Sequence, residues 1–218
     1  MAKRFELIVF DWDGTLMDSA ALIVHSVQAA ARDLGYLPPT DERARHIIGL
    51  GLIDALRYAL PELDPAHYQE VADRYRHHYL SRDHELILFD GTQDLIAELA
   101  RAGYRLGVAT GKSRRGLDRA LEGSGLGAYF HATRCADECH SKPHPQMLEE
   151  LMEAFGVLPA ATLMIGDTTH DLMMTQNAGV SALAVTYGAH PRAQLEAAAP
   201  LHCVDSMAEM SAWLRTNA

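Results

Sequence analysis

The stretch Leu7-Ile8-Val9-Phe10-Asp11-Trp12-Asp13-Gly14-Thr15 decides how the rest of the chain is read. Four consecutive apolar residues closed by an acidic, glycine-containing cluster predict a strand buried on both faces, because a strand with one wet face would alternate instead. Comparable runs recur at Arg105-Leu106-Gly107-Val108-Ala109, Thr162-Leu163-Met164-Ile165 and Ala182-Leu183-Ala184-Val185. Helical patterns fill the intervals over Gln93–Ala102, Arg115–Gly123, Pro145–Phe155 and His170–Ala178, and Met207–Leu214 predicts a closing helix. Alternation of this kind predicts an α/β core, a mostly parallel sheet sandwiched by helices, with any ligand at the carboxyl ends of the strands.

One interval breaks the rhythm. From Asp18 to His84 the pattern is helical, over Ala20–Leu34, Thr40–Ile48, Ile53–Leu60 and Pro65–Ser81, with breaks at Pro38-Pro39, Gly49-Leu50-Gly51 and Pro61. An all-helical insert after the first strand predicts a cap domain over 18–84, on a core formed by 1–17 and 85–218.

Composition narrows the chemistry. The 218 residues suffice for such a core and insert without metal or disulfide staples. A formal net charge of −10 argues against nucleic acid and anionic membranes as partners, which are captured by clustered Lys and Arg. Cys135, Cys139 and Cys203 cannot all pair with one another, which suits a reducing compartment. The opening Met-Ala-Lys-Arg-Phe-Glu lacks the pattern of a secretory signal, and no apolar run approaches the ~20 residues that span a bilayer. The expectation is a cytoplasmic protein.

Asp11 and Asp13, two apart just past a buried strand, bring two carboxylates to the sheet edge, although Asp-x-Asp-Gly also fits a simple turn with glycine at positive φ. Other clusters fall at equivalent places. Val108-Ala109-Thr110-Gly111-Lys112 offers a hydroxyl and backbone N–H groups at a helix start, suited to a phosphate oxygen. Ser141-Lys142-Pro143 sets an ammonium in a rigid turn, and Gly166-Asp167-Thr168-Thr169-His170-Asp171 supplies two further carboxylates. A nucleophile, a proton shuttle, ligands for a hard cation and donors for phosphoryl oxygens are what a phosphomonoesterase needs. The only lysines are Lys3, Lys112 and Lys142; Lys112 reads either as an attractor of anions or as a surface residue. Cys135, Cys139, His140 and His144 suggest a zinc site, but lack the paired Cys-x2-Cys spacing of structural zinc motifs.

These motifs, in this order, resemble the haloacid dehalogenase superfamily, in the branch with a helical cap after the first motif and closest to phosphoglycolate-phosphatase-like members. The resemblance implies a Rossmann-like core and a Mg²⁺-dependent phosphatase acting on a small phosphorylated metabolite. It implies that Asp11 is the nucleophile and is phosphorylated, and that Asp13 is the general acid and base. Mg²⁺ would be held by Asp11, the Asp13 carbonyl and Asp167, with Asp171 orienting metal-bound water or Lys142. Thr110, Lys142 and the backbone around Trp12 and Gly111 would bind the phosphoryl oxygens. In the cap, Arg45, His46 and the loop Ile48-Gly49-Leu50-Gly51 are candidate substrate contacts, while His77, His78 and His84 read as exposed.

Relatives with other chemistry fit less well. Asp13 argues against dehalogenation, a cap without lysine excludes imine-forming phosphonate cleavage, and Gly49-Leu50-Gly51-Leu52 replaces the Ser-Arg pair of sugar-phosphate mutases. A mutase, a pyrophosphatase and a non-enzymatic phospho-aspartate signalling domain stay open as alternatives. Monomer and homodimer are equally compatible with the sequence.

Overall fold

The computed structural model describes residues 3–218. Six parallel strands form one sheet in the order β3-β2-β1-β4-β5-β6: β1 Leu7–Phe10, β2 Arg105–Thr110, β3 Ala132–Cys135, β4 Thr162–Gly166, β5 Ser181–Val185 and β6 His202–Val204. Every residue of β1 is buried, and β1 pairs on both sides, Val9 standing opposite Gly107 and Met164. Strand order runs outward in both directions from the β1–β4 pair, which makes it the switch point where α/β sheets bind ligands.

Helices cover both faces. On one, α5 (Thr92–Arg101), α6 (Arg114–Ser124) and α10 (Met207–Asn217) contribute Leu95, Leu117 and Met210 to a cluster with Phe10, Leu106 and Ile165. On the other, α7 (Gln146–Phe155) and α8 (Thr169–Ala178) pack Leu148, Leu151 and Met174 on Leu7, Val9 and Met164. The short α9 (Arg192–Ala197) buries Leu195 against Ala184 beyond α8. Alternate residues of one strand thus feed opposite layers, as a doubly covered sheet requires.

The insert forms α1 (Ala20–Asp33), α2 (Asp41–His46), α3 (Leu52–Ala59) and α4 (Tyr68–Arg82), which enclose an apolar cluster of their own including Val27, Ile47, Leu56 and Val71. Two chain segments join it to the sheet and run side by side, with Asp18 N donating to Ile87 O at 3.0 Å and Phe89 N to Leu16 O at 3.1 Å. Among the described residues no helix is long and apolar enough to cross a membrane.

The sequence reading missed β3, β6 and α9. The β3 residues Ala132-Thr133-Arg134 are only half-buried, and β6 spans three residues at the opposite edge. Edge strands so short and polar carry no continuous apolar run to detect. Leu151 is fully buried between α7 and the sheet, so Leu151→Ala should lower stability by about 2–5 kcal/mol in urea denaturation.

Candidate active site

The carboxyl ends of the strands converge on Asp11. Its backbone N–H donates to Ile165 O at 2.9 Å, continuing the β1–β4 ladder by one residue and fixing the carboxylate at the switch point. That carboxylate is wholly buried; among the described residues no hydrogen-bond donor reaches Oδ2, and Oδ1 meets only the ammonium of Lys142 at 2.9 Å. Lys142, from the loop after β3, is fully buried as well and also donates to Asp171 Oδ1 at 2.6 Å. The Lys142–Pro143 peptide bond is cis.

Asp171 is held from behind. Its Oδ2 accepts from Thr168 N at 3.1 Å and Thr168 Oγ1 at 2.8 Å, and its own N–H donates to Thr168 Oγ1 at 3.3 Å, which completes a capping box that opens α8. Asp167, after β4, accepts from Thr15 Oγ1 at 2.9 Å on Oδ1 and from Ala189 N at 2.7 Å on Oδ2. Ligand oxygens of Asp11, Asp167 and Asp171 lie within 4.8 Å of one another, all three residues buried.

Three carboxylates against one ammonium are costly in such a place. Burial pushes Asp11 up to about 7, with Lys142 opposing the rise and Asp171 adding to it. Burial likewise raises Asp167 well above the usual range, reinforced by Asp11 and Asp171. Burial would lower Lys142, but Asp11 and Asp171 outweigh it and hold the ammonium charged. The open Oδ2 of Asp11, the adjacent Asp167 and the all-oxygen character of the donors fit a hard divalent cation of the Mg²⁺ type.

Asp13 is engaged by two donors, Ser19 Oγ at 2.6 Å on Oδ1 and Lys112 Nζ at 2.9 Å on Oδ2. Lys112 is mostly buried and also reaches Tyr79 OH of α4 at 2.9 Å, so it is not a surface residue. Thr110 is buried at the end of β2, where its Oγ1 accepts from Lys112 N at 3.2 Å. The Trp12 ring is buried against Phe130.

The insert closes on this cluster through its backbone. At Gly111 a Cβ would lie 2.5 Å from Leu50 O and 2.6 Å from Gly49 C, so only glycine admits the loop. A Cβ on Gly49 would stand 3.8 Å from Asp11 Oδ2, and Gly51 N donates to Ser141 Oγ at 2.8 Å. His46 O accepts from His170 Nε2 at 2.6 Å and His190 Nε2 at 3.2 Å, while Thr169 N donates to His190 Nδ1 at 3.0 Å. Burial lowers His170 and pushes His190 down to about 4, so both act as neutral donors. The ring nitrogens of His46, His170 and His190 fall within 4.8 Å of one another, but the bonds just described already occupy both nitrogens of His190 and Nε2 of His170.

Arg45 lies exposed on α2, and its neighbour His46 is the residue turned to the core, stacked on His190 at 5.0 Å. The expected exposure holds for His77 and His84, whereas His78 is half-buried and meets Asp33 at 2.8 Å. The Cys135, Cys139, His140, His144 group forms no metal-ligand cluster among the described residues; Cys135 is buried and Cys139 Sγ meets Glu150. Sequence reasoning gave no role to Ser19, Tyr79, Ala189 or His190. The last two sit in Tyr187-Gly188-Ala189-His190 just after β5, a place that the strand-end rule marks.

Residues 8–185 match the family described as haloacid dehalogenase-like hydrolase, and the chain belongs to that family. It is 41% identical over 214 residues to "Probable phosphatase IndB" of Dickeya dadantii, covering 94% of this chain and 91% of the relative. It is 30% identical over 209 residues to pyrophosphatase PpaX of Bacillus mycoides, covering 95% of each. A solved structure of a predicted phosphatase from Clostridium acetobutylicum superposes with a TM-score of 0.86 at 25% identity, over 97% of this chain and 99% of the other.

The raised Asp11 carboxyl has a measurable sign. Between its ordinary value of 3.8 and about 7 the folded protein retains a proton that the unfolded chain has released, so this group's contribution to stability declines as pH rises through that window. In EDTA, urea denaturation should show Asp11→Asn gaining stability relative to wild type from pH about 4 to pH about 7. At neutral pH, millimolar Mg²⁺ should raise the melting temperature of wild type, and Asp167→Asn should abolish most of that rise.

Proposed function

We propose that this chain is a cytoplasmic, Mg²⁺-dependent phosphatase that hydrolyses a small phosphorylated metabolite through an aspartyl-phosphate on Asp11. One observation carries the proposal: a fully buried carboxylate at the switch point, with one oxygen free of donors and the other against the Lys142 ammonium. A purely structural aspartate so deep would have both oxygens satisfied, as Asp167 and Asp171 do. Family membership and relatives named as phosphatases support the same reading.

The chain's residues divide the work. Asp11 attacks phosphorus in line through a carboxylate oxygen, and the bond to the leaving oxygen breaks as the bond to Asp11 forms. Lys142 neutralises charge on Asp11 and on a phosphoryl oxygen, and Asp171, fixed by Thr168, holds that ammonium in place. The Thr110 hydroxyl and the backbone N–H groups of Trp12 and Gly111 receive the other oxygens. Asp13 gives a proton to the leaving oxygen, then takes one from the water that cleaves the acyl phosphate and returns Asp11 to its starting form. A Mg²⁺ ion held by Asp11, the Asp13 carbonyl and Asp167 would supply the positive charge that lets two anions approach. The loop at Gly49 excludes bulk water above Asp11.

The test is a screen of phosphorylated metabolites with Mg²⁺, including phosphoglycolate, sugar phosphates and nucleotides. Pyrophosphate belongs in it because PpaX is named a pyrophosphatase. Wild type should turn over at least one compound, Asp11→Asn should lose at least about 10³-fold, and Asp13→Asn about 10²–10⁴-fold. An Asp11→Asn enzyme as active as wild type refutes the proposal, as does a wild type inert toward every compound.

A further inference from the structure

Lys112 occupies a place that neither the chemistry of phosphorus nor the needs of the fold explain. Its side chain is about 11% exposed and that of Asp13 about 10%, so the 2.9 Å ion pair between them is largely withdrawn from water. A buried lysine is costly unless its partners are good ones. Here there are two: the Asp13 carboxylate from the core, and the phenol of Tyr79 from α4 in the insert. The Tyr79 ring also faces the ammonium at 4.9 Å, and Ser19 Oγ holds the other Asp13 oxygen at 2.6 Å. The carboxylate is thereby clamped from both sides.

We infer that Lys112 is the positioning residue of Asp13, and that Tyr79 makes this positioning conditional on the helical insert being closed. The inference rests on the reading of Asp13 as general acid and base. When the Asp13 proton passes to the leaving oxygen as its bond to phosphorus breaks, the carboxylate becomes an anion beside Lys112, and the ammonium stabilises it. When Asp13 then takes a proton from water, as water oxygen bonds to phosphorus and the bond to Asp11 breaks, the same clamp aims its oxygen. With the insert swung away, Tyr79 leaves and Lys112 becomes solvated and free to move. Proton transfer is then supported only when substrate is enclosed, which makes Lys112 and Tyr79 determinants of how well poor leaving groups are expelled.

The leaving group provides the test. p-Nitrophenolate departs without needing a proton, whereas an alkoxide does not. Wild type, Lys112→Met, Lys112→Arg and Tyr79→Phe should be compared on p-nitrophenyl phosphate and on the alkyl phosphomonoester that wild type turns over best, with Mg²⁺ saturating, in single-turnover experiments that read release of the leaving group, because hydrolysis of the acyl phosphate is common to both esters. Lys112→Met should lower the rate of leaving-group release at saturating ester by about 10–100-fold for the alkyl ester and by less than about 5-fold for p-nitrophenyl phosphate. Lys112→Arg should recover part of the difference, and Tyr79→Phe should show a smaller loss with the same selectivity. Asp13→Asn should reproduce the selectivity in stronger form. An equal loss of that release rate on both esters in Lys112→Met, or a higher half-saturating ester concentration alone, overturns the inference, since a structural or anion-attracting lysine would behave that way. Should Lys112→Met fail to fold, Tyr79→Phe decides: selective loss sustains the coupling and equal loss or none defeats it. Failure of the underlying reading looks different, as an Asp13→Asn enzyme without leaving-group selectivity.

Discussion

The fully buried ammonium of Lys142, in the loop after β3, ties together carboxylates that follow β1 and β4. It contacts Asp11 after β1 and Asp171 at the start of α8, with no solvent access to any of the three side chains. Removing one partner from such a pair is strongly destabilising, because the charge left behind has nowhere to be solvated. The geometry runs in a chain of dependence: Thr168 caps α8 and fixes Asp171, Asp171 fixes Lys142, and Lys142 occupies one oxygen of Asp11 while leaving the other open. Local helix capping thus acts on the Asp11 carboxylate through two intervening side chains.

The excess of negative charge around that lysine is the counterpart of this order. Folding brings together three carboxylates that would repel each other in a dry setting, and two of them respond by holding protons more tightly than free carboxyls do. A divalent cation held by these carboxylates would recover stability given up in this cluster. The two apolar layers on the sheet supply the rigidity that keeps the cluster from relaxing.

Much of this was legible in the chain itself, for identifiable reasons. Central strands are fully buried and therefore apolar throughout, which made Leu7–Phe10 and Thr162–Ile165 readable, and the acidic residues ending them could be placed by register alone. The helical insert was readable because its periodicity departs from that of the core. What escaped was whatever depends on the meeting of distant segments. Nothing near Tyr79 in the sequence marks it as a partner of Lys112, and nothing distinguishes Ala189 from any residue after a strand until its N–H is seen on Asp167. Arg45 and His46 are adjacent and equally polar; the turn of α2 sends one outward and the other against His190, and a pattern over six residues does not fix that phase.

The meeting of Gly49 and Leu50 with Gly111 carries a consequence for how this scaffold diversifies. Where main chain abuts main chain without an intervening side chain, the ceiling over Asp11 has a fixed height that no single replacement can lower without prying the insert off its seat. Room for a different ester must therefore come from the sides of the site, while the ceiling above Asp11 stays the same.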